Sequence, residues 1–171
     1  MMRALVATLV LAGIAAGLLG PAPCARAQSI EASAGVVGGT LTITRERDLD
    51  FGDVIRGVPA TIAVANAASG RFLIRGTRGA EVSLDFLLPT FLTVGPYTLP
   101  IGFGPTAAGH YALPQSQNAV LFDPHVTRIT RLRASNGFLY AWLGGTVSPS
   151  LTQAPGVYTG AITLVVSYTG N

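Results

Sequence analysis

The sequence predicts an all-β protein, an antiparallel sandwich or barrel of about eight or nine strands. Past residue 27, no window of eleven or more residues keeps a helical apolar period. Instead, short alternating runs recur between Gly, Pro and Asn turn signals at intervals of roughly 8–12 residues. The clearest run is the last. After Pro155-Gly156, the side chains of Ile162, Leu164, Val166 and Tyr168 fall on one face, and those of Thr163, Val165, Ser167 and Thr169 on the other. Period-two alternation of β-branched and aromatic residues belongs to a half-buried strand, because successive side chains of extended backbone point to opposite faces.

Residues 1–27 read as a secretory signal peptide. Arg3 supplies the positive start, residues 4–20 an apolar core, and Ala25-Arg26-Ala27 a small-x-small cleavage site. The apolar run of roughly 17 residues is shorter than the ~20 that a spanning helix needs, and Pro21 and Pro23 break it. Cleavage leaves a single domain over residues 28–171. Cys24, the only cysteine, leaves with the peptide, and Pro21-Ala22-Pro23 before it does not fit a lipid-attachment site. The mature domain is then held by its core alone, without disulfides.

Taken in order, residues 28–37 alternate weakly, with Ile30, Ala32, Ala34 and Val36 on one face, and Gly38-Gly39 forms a hinge. Residues 40–44 alternate cleanly, with Leu41 and Ile43 inward. A strand over 61–65 ends in an Asn- and Ser-containing turn. Residues 71–75 place Phe72 and Ile74 together, and residues 81–87 place Val82, Leu84 and Phe86 together. Between Pro89 and Pro114 prolines and glycines are dense, which leaves room for at most a short edge strand over 97–103, since proline donates nothing to a ladder. Runs over 120–132 and 138–143 are joined through Asn136-Gly137, a pair that favours the positive φ of a hairpin turn. Phe138, Tyr140 and Trp142 are read as inward core residues.

Charge excludes several chemistries. All eleven basic residues are arginine; losing Arg3 and Arg26 leaves nine against eight acids, a net charge near +1, which removes the electrostatic case for nucleic acid. Without lysine there is no P-loop, Schiff base or lysine general base. The clusters Arg71, Arg75, Arg78 and Arg128, Arg131, Arg133 read as solvated strand faces. His110 and His125 are the only histidines, and Asp123-Pro124-His125 reads as an Asx-Pro turn. Asp48, Asp50 and Asp53 lack the spacing of a calcium loop, because Phe51-Gly52 interrupts it. No catalytic residue, cofactor or metal ligand is expected, and the predicted role is not enzymatic.

Leu41-Thr42-Ile43-Thr44, Asp48-Leu49-Asp50-Phe51-Gly52-Asp53-Val54, Leu143-Gly144-Gly145-Thr146-Val147 and Gly156-Val157-Tyr158-Thr159-Gly160 precede a closing Val165-Val166-Ser167-Tyr168. Together these motifs resemble a bacterial secreted β-sandwich domain family of unknown function, similar to spore coat protein U and to fimbrial, pilin-like subunits. The chain lacks the cysteine pair found in many of those proteins. The resemblance implies an immunoglobulin-like or pilin-like sandwich in the periplasm or on the surface of a Gram-negative-type bacterium. It implies a structural subunit of a fibre, coat or matrix, associating with itself or with sister subunits and served by a periplasmic chaperone. In such assemblies the amino-terminal extension of one subunit completes the sheet of the next. Residues 28–39 have the extended alternation and hinge of such a donor, with Ile30, Ala32, Ala34 and Val36 as contacts. They are equally suited to pairing within their own domain. The alternative function is a monomeric binding or adhesion module using Phe91, Tyr97, Phe103 and Tyr111. The mature chain is not expected to bind nucleic acid or to insert into a membrane.

Overall fold

The computed structural model describes residues 39–170; the expected signal peptide and residues 28–37, with Ile30, Ala32, Ala34 and Val36, lie outside them. The described chain opens with β1 (Thr42–Arg47), β2 (Ala60–Ile62), β3 (Gly70–Arg75) and β4 (Glu81–Leu87). Then follow β5 (Phe91–Val94), β6 (Tyr97–Gly102), β7 (Ala108–Tyr111), β8 (Val120–Phe122) and β9 (Arg128–Arg131). It closes with β10 (Phe138–Leu143), β11 (Gly145–Val147) and β12 (Thr163–Tyr168). The ladders are antiparallel and form a five-stranded sheet β1-β3-β10-β7-β8, a four-stranded sheet β2-β11-β6-β5 and a three-stranded sheet β12-β4-β9.

Two continuities join these sheets. β10 runs into β11 across Gly144 alone, whose N–H donates to the Ala107 carbonyl at 2.7 Å. β4 runs into β5 across residues 88–90, and Thr93 exchanges N–H···O bonds with Thr159 at 2.8 and 3.0 Å. Residues 159–168 therefore lie antiparallel beside the β4–β5 stretch through both smaller sheets.

The main core lies where the five-stranded sheet faces the three-stranded one. Ile74, Leu139, Ala141 and Leu143 from the first meet Val82, Leu84 and Leu164 from the second, all below 7% exposure. Each set sits at every second position of its strand, so one inward face per strand removes its apolar area from water. On β12 the inward face is Ile162, Leu164, Val166 and Tyr168, with Leu164 buried and the other three packed against the cluster. A smaller core of Leu99, Ile101 and Val147 lies on the four-stranded sheet, covered by Phe51, Val54, Leu92 and Tyr158.

Four expectations are corrected. There are twelve strands among the described residues, more than eight or nine; Asp123-Pro124 divides the run over 120–132 into β8 and β9, and Gly145–Val147 adds β11 after the run over 138–143. The Pro-rich stretch holds three strands, β5, β6 and β7, where one edge strand was expected. Its Pro100 is tolerated because the β6–β11 ladder stops at Ile101, and only the Pro100 carbonyl is used beyond it, accepting from Ser148 N–H at 3.0 Å. The Asn136-Gly137 turn forms, with Gly137 at φ 73, but it does not join a hairpin: β9 pairs with β4 while β10 pairs with β3 and β7. The turn carries the chain from one layer to the other.

The fourth correction concerns the aromatics. Phe138, Tyr140 and Trp142 lie on the face of β10 opposite the Leu139, Ala141 and Leu143 core face. Trp142 is nevertheless only 1% exposed. Its cross-strand partner is Gly109, and over that glycine pack Val64, from the loop after β2, together with Ala119 and Leu121. Tyr140 stacks on the indole at 6.0 Å and 27°, and Arg75 lies 4.9 Å above the Phe138 ring. Alternation correctly grouped these aromatics on one face, but it does not tell which face a loop will cover.

Candidate functional site

Along one side of the sandwich both layers end in strands that, among the described residues, are paired on one edge only: β1 pairs with β3 and β12 with β4. They run in opposite directions. At one end they close on each other, where the Tyr168 hydroxyl accepts from Thr77 N–H at 2.8 Å and Leu41 and Tyr168 both crowd Gly76. At the other end, beyond Arg45 and Arg47, the layers part around a cleft of about 910 Å³. Its apolar wall comes from Phe72 and Leu143 of the first layer, Leu92, Leu99, Ile101 and Val147 of the four-stranded sheet, and Tyr158 and Ile162. Arg45, Asp48, Asp50, Asp53 and Arg56 line it as well.

The carboxyl-terminal side of the cleft is lightly held. Between residues 154 and 162 the Thr93–Thr159 bridge is the one strand contact among the described residues. Gln153 fixes the start of this stretch by donating to the Thr98 carbonyl at 2.9 Å and to the Tyr158 hydroxyl at 2.6 Å. The following strand, Thr-Leu-Val-Val-Ser-Tyr, carries no charge, whereas β1 (Thr-Ile-Thr-Arg-Glu-Arg) and β9 (Arg-Ile-Thr-Arg) do. Charges on an edge discourage further strand pairing, and their absence on β12 leaves that edge receptive.

The other candidate groups have local roles. Asp48 pairs with Arg45 at 3.0 Å with both side chains about 70% exposed, a geometry that adds little stability. Asp50 accepts from Gly52 N–H at 2.9 Å, and Asp123 accepts from His125 N–H at 2.9 Å in the expected Asx-Pro turn. Arg131 pairs with Glu81 at 3.3 Å at an exposed position, as a solvated face predicts, whereas Arg71 pairs with Glu46 at 2.8 Å with both side chains under a third exposed. Arg128 departs from that reading. It shares the inward face of Leu84, its ladder partner, and donates from Nε to His110 Nε2 at 3.1 Å.

His110 is buried at 7% exposure, on the border opposite the cleft. Because a guanidinium only donates, Nε2 must accept, so the proton sits on Nδ1 and faces Thr130 Oγ1 at 3.3 Å. Burial of the ring, and the Arg128 charge beside it, lower its pKa from 6.5 to about 4. The folded state thus binds this proton more weakly than the unfolded chain does. The resulting stability is complete above pH 6.5 and is lost as pH falls from there towards 4, by about 3 kcal/mol across the window.

No family model matches the chain, and no curated protein matches it. Sequence reasoning missed Leu92, Leu99 and Ile101 as cleft residues, although their alternation was present between the prolines. It also missed the His110–Arg128 contact, whose partners lie 18 residues apart in different sheets.

Proposed function

We propose that this chain is a non-enzymatic structural subunit of a bacterial surface fibre, coat or matrix, exported to the periplasm or cell surface and assembled by strand complementation. The observation that carries this reading is a cleft with an apolar wall at the end of β1, on the side where β1 and β12 are each paired on one edge only among the described residues. Residues 28–37 of a neighbouring copy are its occupant: extended, they reach roughly 33 Å at about 3.3 Å per residue, longer than the six-residue β12 edge. Their alternation places Ile30, Ala32, Ala34 and Val36 against the apolar wall, while their backbone pairs with the β12 edge. Residue 39 lies beside Thr77, at the closed end. Such a head-to-tail contact generates chains wherever its rotation does not close into a ring. The resemblance to pilin-like and spore-coat-U-like proteins points the same way, and sister subunits and a periplasmic chaperone are the partners it implies.

Surface extracts run on SDS gels without boiling are expected to show a ladder that collapses to one band on boiling. Deleting residues 28–37 should leave a single monomer band in both lanes with the β-sheet circular dichroism retained. A ladder that survives the deletion would rule out strand donation by this segment.

A second reading, a monomeric binding or adhesion module, is favoured by one observation. On the β5–β6 hairpin Phe91 and Tyr97 are 50% and 54% exposed, whereas Phe103 and Tyr111 are half-buried. On that reading, alanine at both exposed positions abolishes binding to the cognate polysaccharide, measured by affinity electrophoresis, and leaves the gel ladder absent in wild type and variant alike.

A further inference from the structure

We propose that His110, Arg128 and Thr130 form an acid-released latch that holds the β7–β8 border of the first layer against β9 of the second. The border needs such a tie. Among the described residues β8 is the last strand of its sheet and β9 the last of its own, so each is supported there on one edge only. Across the gap between them the polar contacts are those of the neutral imidazole: Arg128 Nε donating to Nε2 and Nδ1–H facing Thr130. The Phe122 ring of β8 packs 5.7 Å from the imidazole and 6.0 Å from the Arg128 guanidinium carbon, completing a small joint that links β7, β8 and β9.

Protonation reverses the sign of the contact. An imidazolium has no lone pair for Arg128, so the bond at Nε2 is lost and two cations are left face to face in a partly dry site. No carboxylate compensates. On β9, Arg131 turns to the outer face and pairs with Glu81; on β4, Asp85 is on that same outer face and accepts from Thr127. β8 carries no charge, and Asp123, which follows it, is engaged by His125 N–H. Ala141 stands opposite His110 on β10 and offers nothing polar. Acid therefore loosens this border specifically, while the cleft border, closed by Tyr168 and Thr77, has no titrating group of this range in its tie.

The test is amide hydrogen exchange on the purified protein between pH 7 and pH 4, expressed as protection factors, with the His110 ring titrated by NMR in parallel. Protection in β8 and β9 is expected to fall at least tenfold more than in β3 and β10, beginning near pH 6.5 and levelling off near the ring midpoint. In His110→Asn, which accepts from Arg128 without titrating, the selective loss should disappear. Arg128→Met, which removes the neighbouring cation, should move the ring midpoint and the loss of protection together to higher pH. A uniform fall across all strands would overturn the latch. So would a selective loss that persists in His110→Asn, or one that stays in place when Arg128→Met moves the ring midpoint.

Discussion

Replacing Gly144 by alanine is expected to destabilise the protein by about 3 kcal/mol or more, at the upper end of overpacking effects. Gly144 is the single residue between β10 and β11, where one strand leaves the five-stranded sheet and enters the four-stranded one. A methyl group there would collide with the Ile62 carbonyl oxygen and approach the carbonyl carbons of Ile62 and Ala63 to 3.2 Å. These are backbone atoms at the end of β2, and no rotamer change can move them. Gly144 cannot retreat either, since its N–H is committed to Ala107. Relief must come by pushing β2 off β11 and breaking its ladder from Ala60 to Ile62. Gly102, which has open space around its missing Cβ, is the control; alanine there should stay within about 0.5 kcal/mol of wild type. Urea denaturation of both variants checks the contrast, and coincident midpoints would contradict the close approach at Gly144.

Trp142→Ala is expected to cost about 3–5 kcal/mol, the range for removing a fully buried large aromatic. The loss is not that of an interlayer core residue. It empties the site beside Gly109, over which Val64, Ala119 and Leu121 pack, and it strips Tyr140 of its stacking partner. Tyr140→Ala, at a half-exposed position on the same face, should cost less than half as much. Equal thermal-denaturation losses for the two variants would mean that the indole is not buried at this site.

The sequence was most legible where one face of a strand is buried and the other wet. β4 and β12 follow that rule, and Val82, Leu84 and Leu164 are buried at the positions their alternation marks, whereas β3 buries Leu73 on one face and Ile74 on the other. It was least legible where a proline interrupts a ladder at its end, as Pro100 does, or where loops cover a face that alternation marks as outward, as happens over Trp142. β1 shows a third limit. Ile43 shares a face with Leu41 and pairs with fully buried Ile74, yet it stays 40% exposed because β1 borders the open side of the sandwich. Period two gives the face of a residue, not the depth of its strand within the sheet. The cleft itself was legible only in part. Ile162 lay on a predicted face, but Phe72, Leu99 and Val147 come from separate strands that meet only through topology. The Asn136-Gly137 turn was recognisable from its dipeptide, whereas its change of layer depends on which strands β9 and β10 find as partners.

Trp142 is the only tryptophan of the chain, and it is buried on the outer face of β10 beside Gly109, over which Val64 of the loop after β2 packs, instead of between the layers. Its fluorescence is therefore a local gauge. Shielded from water, the indole emits towards the blue, and emission shifts to the red when Val64 and its loop lift away. Far-ultraviolet circular dichroism follows the ladders instead. A red shift that precedes the loss of ellipticity marks the uncovering of one outer face in a sandwich whose sheets are still paired.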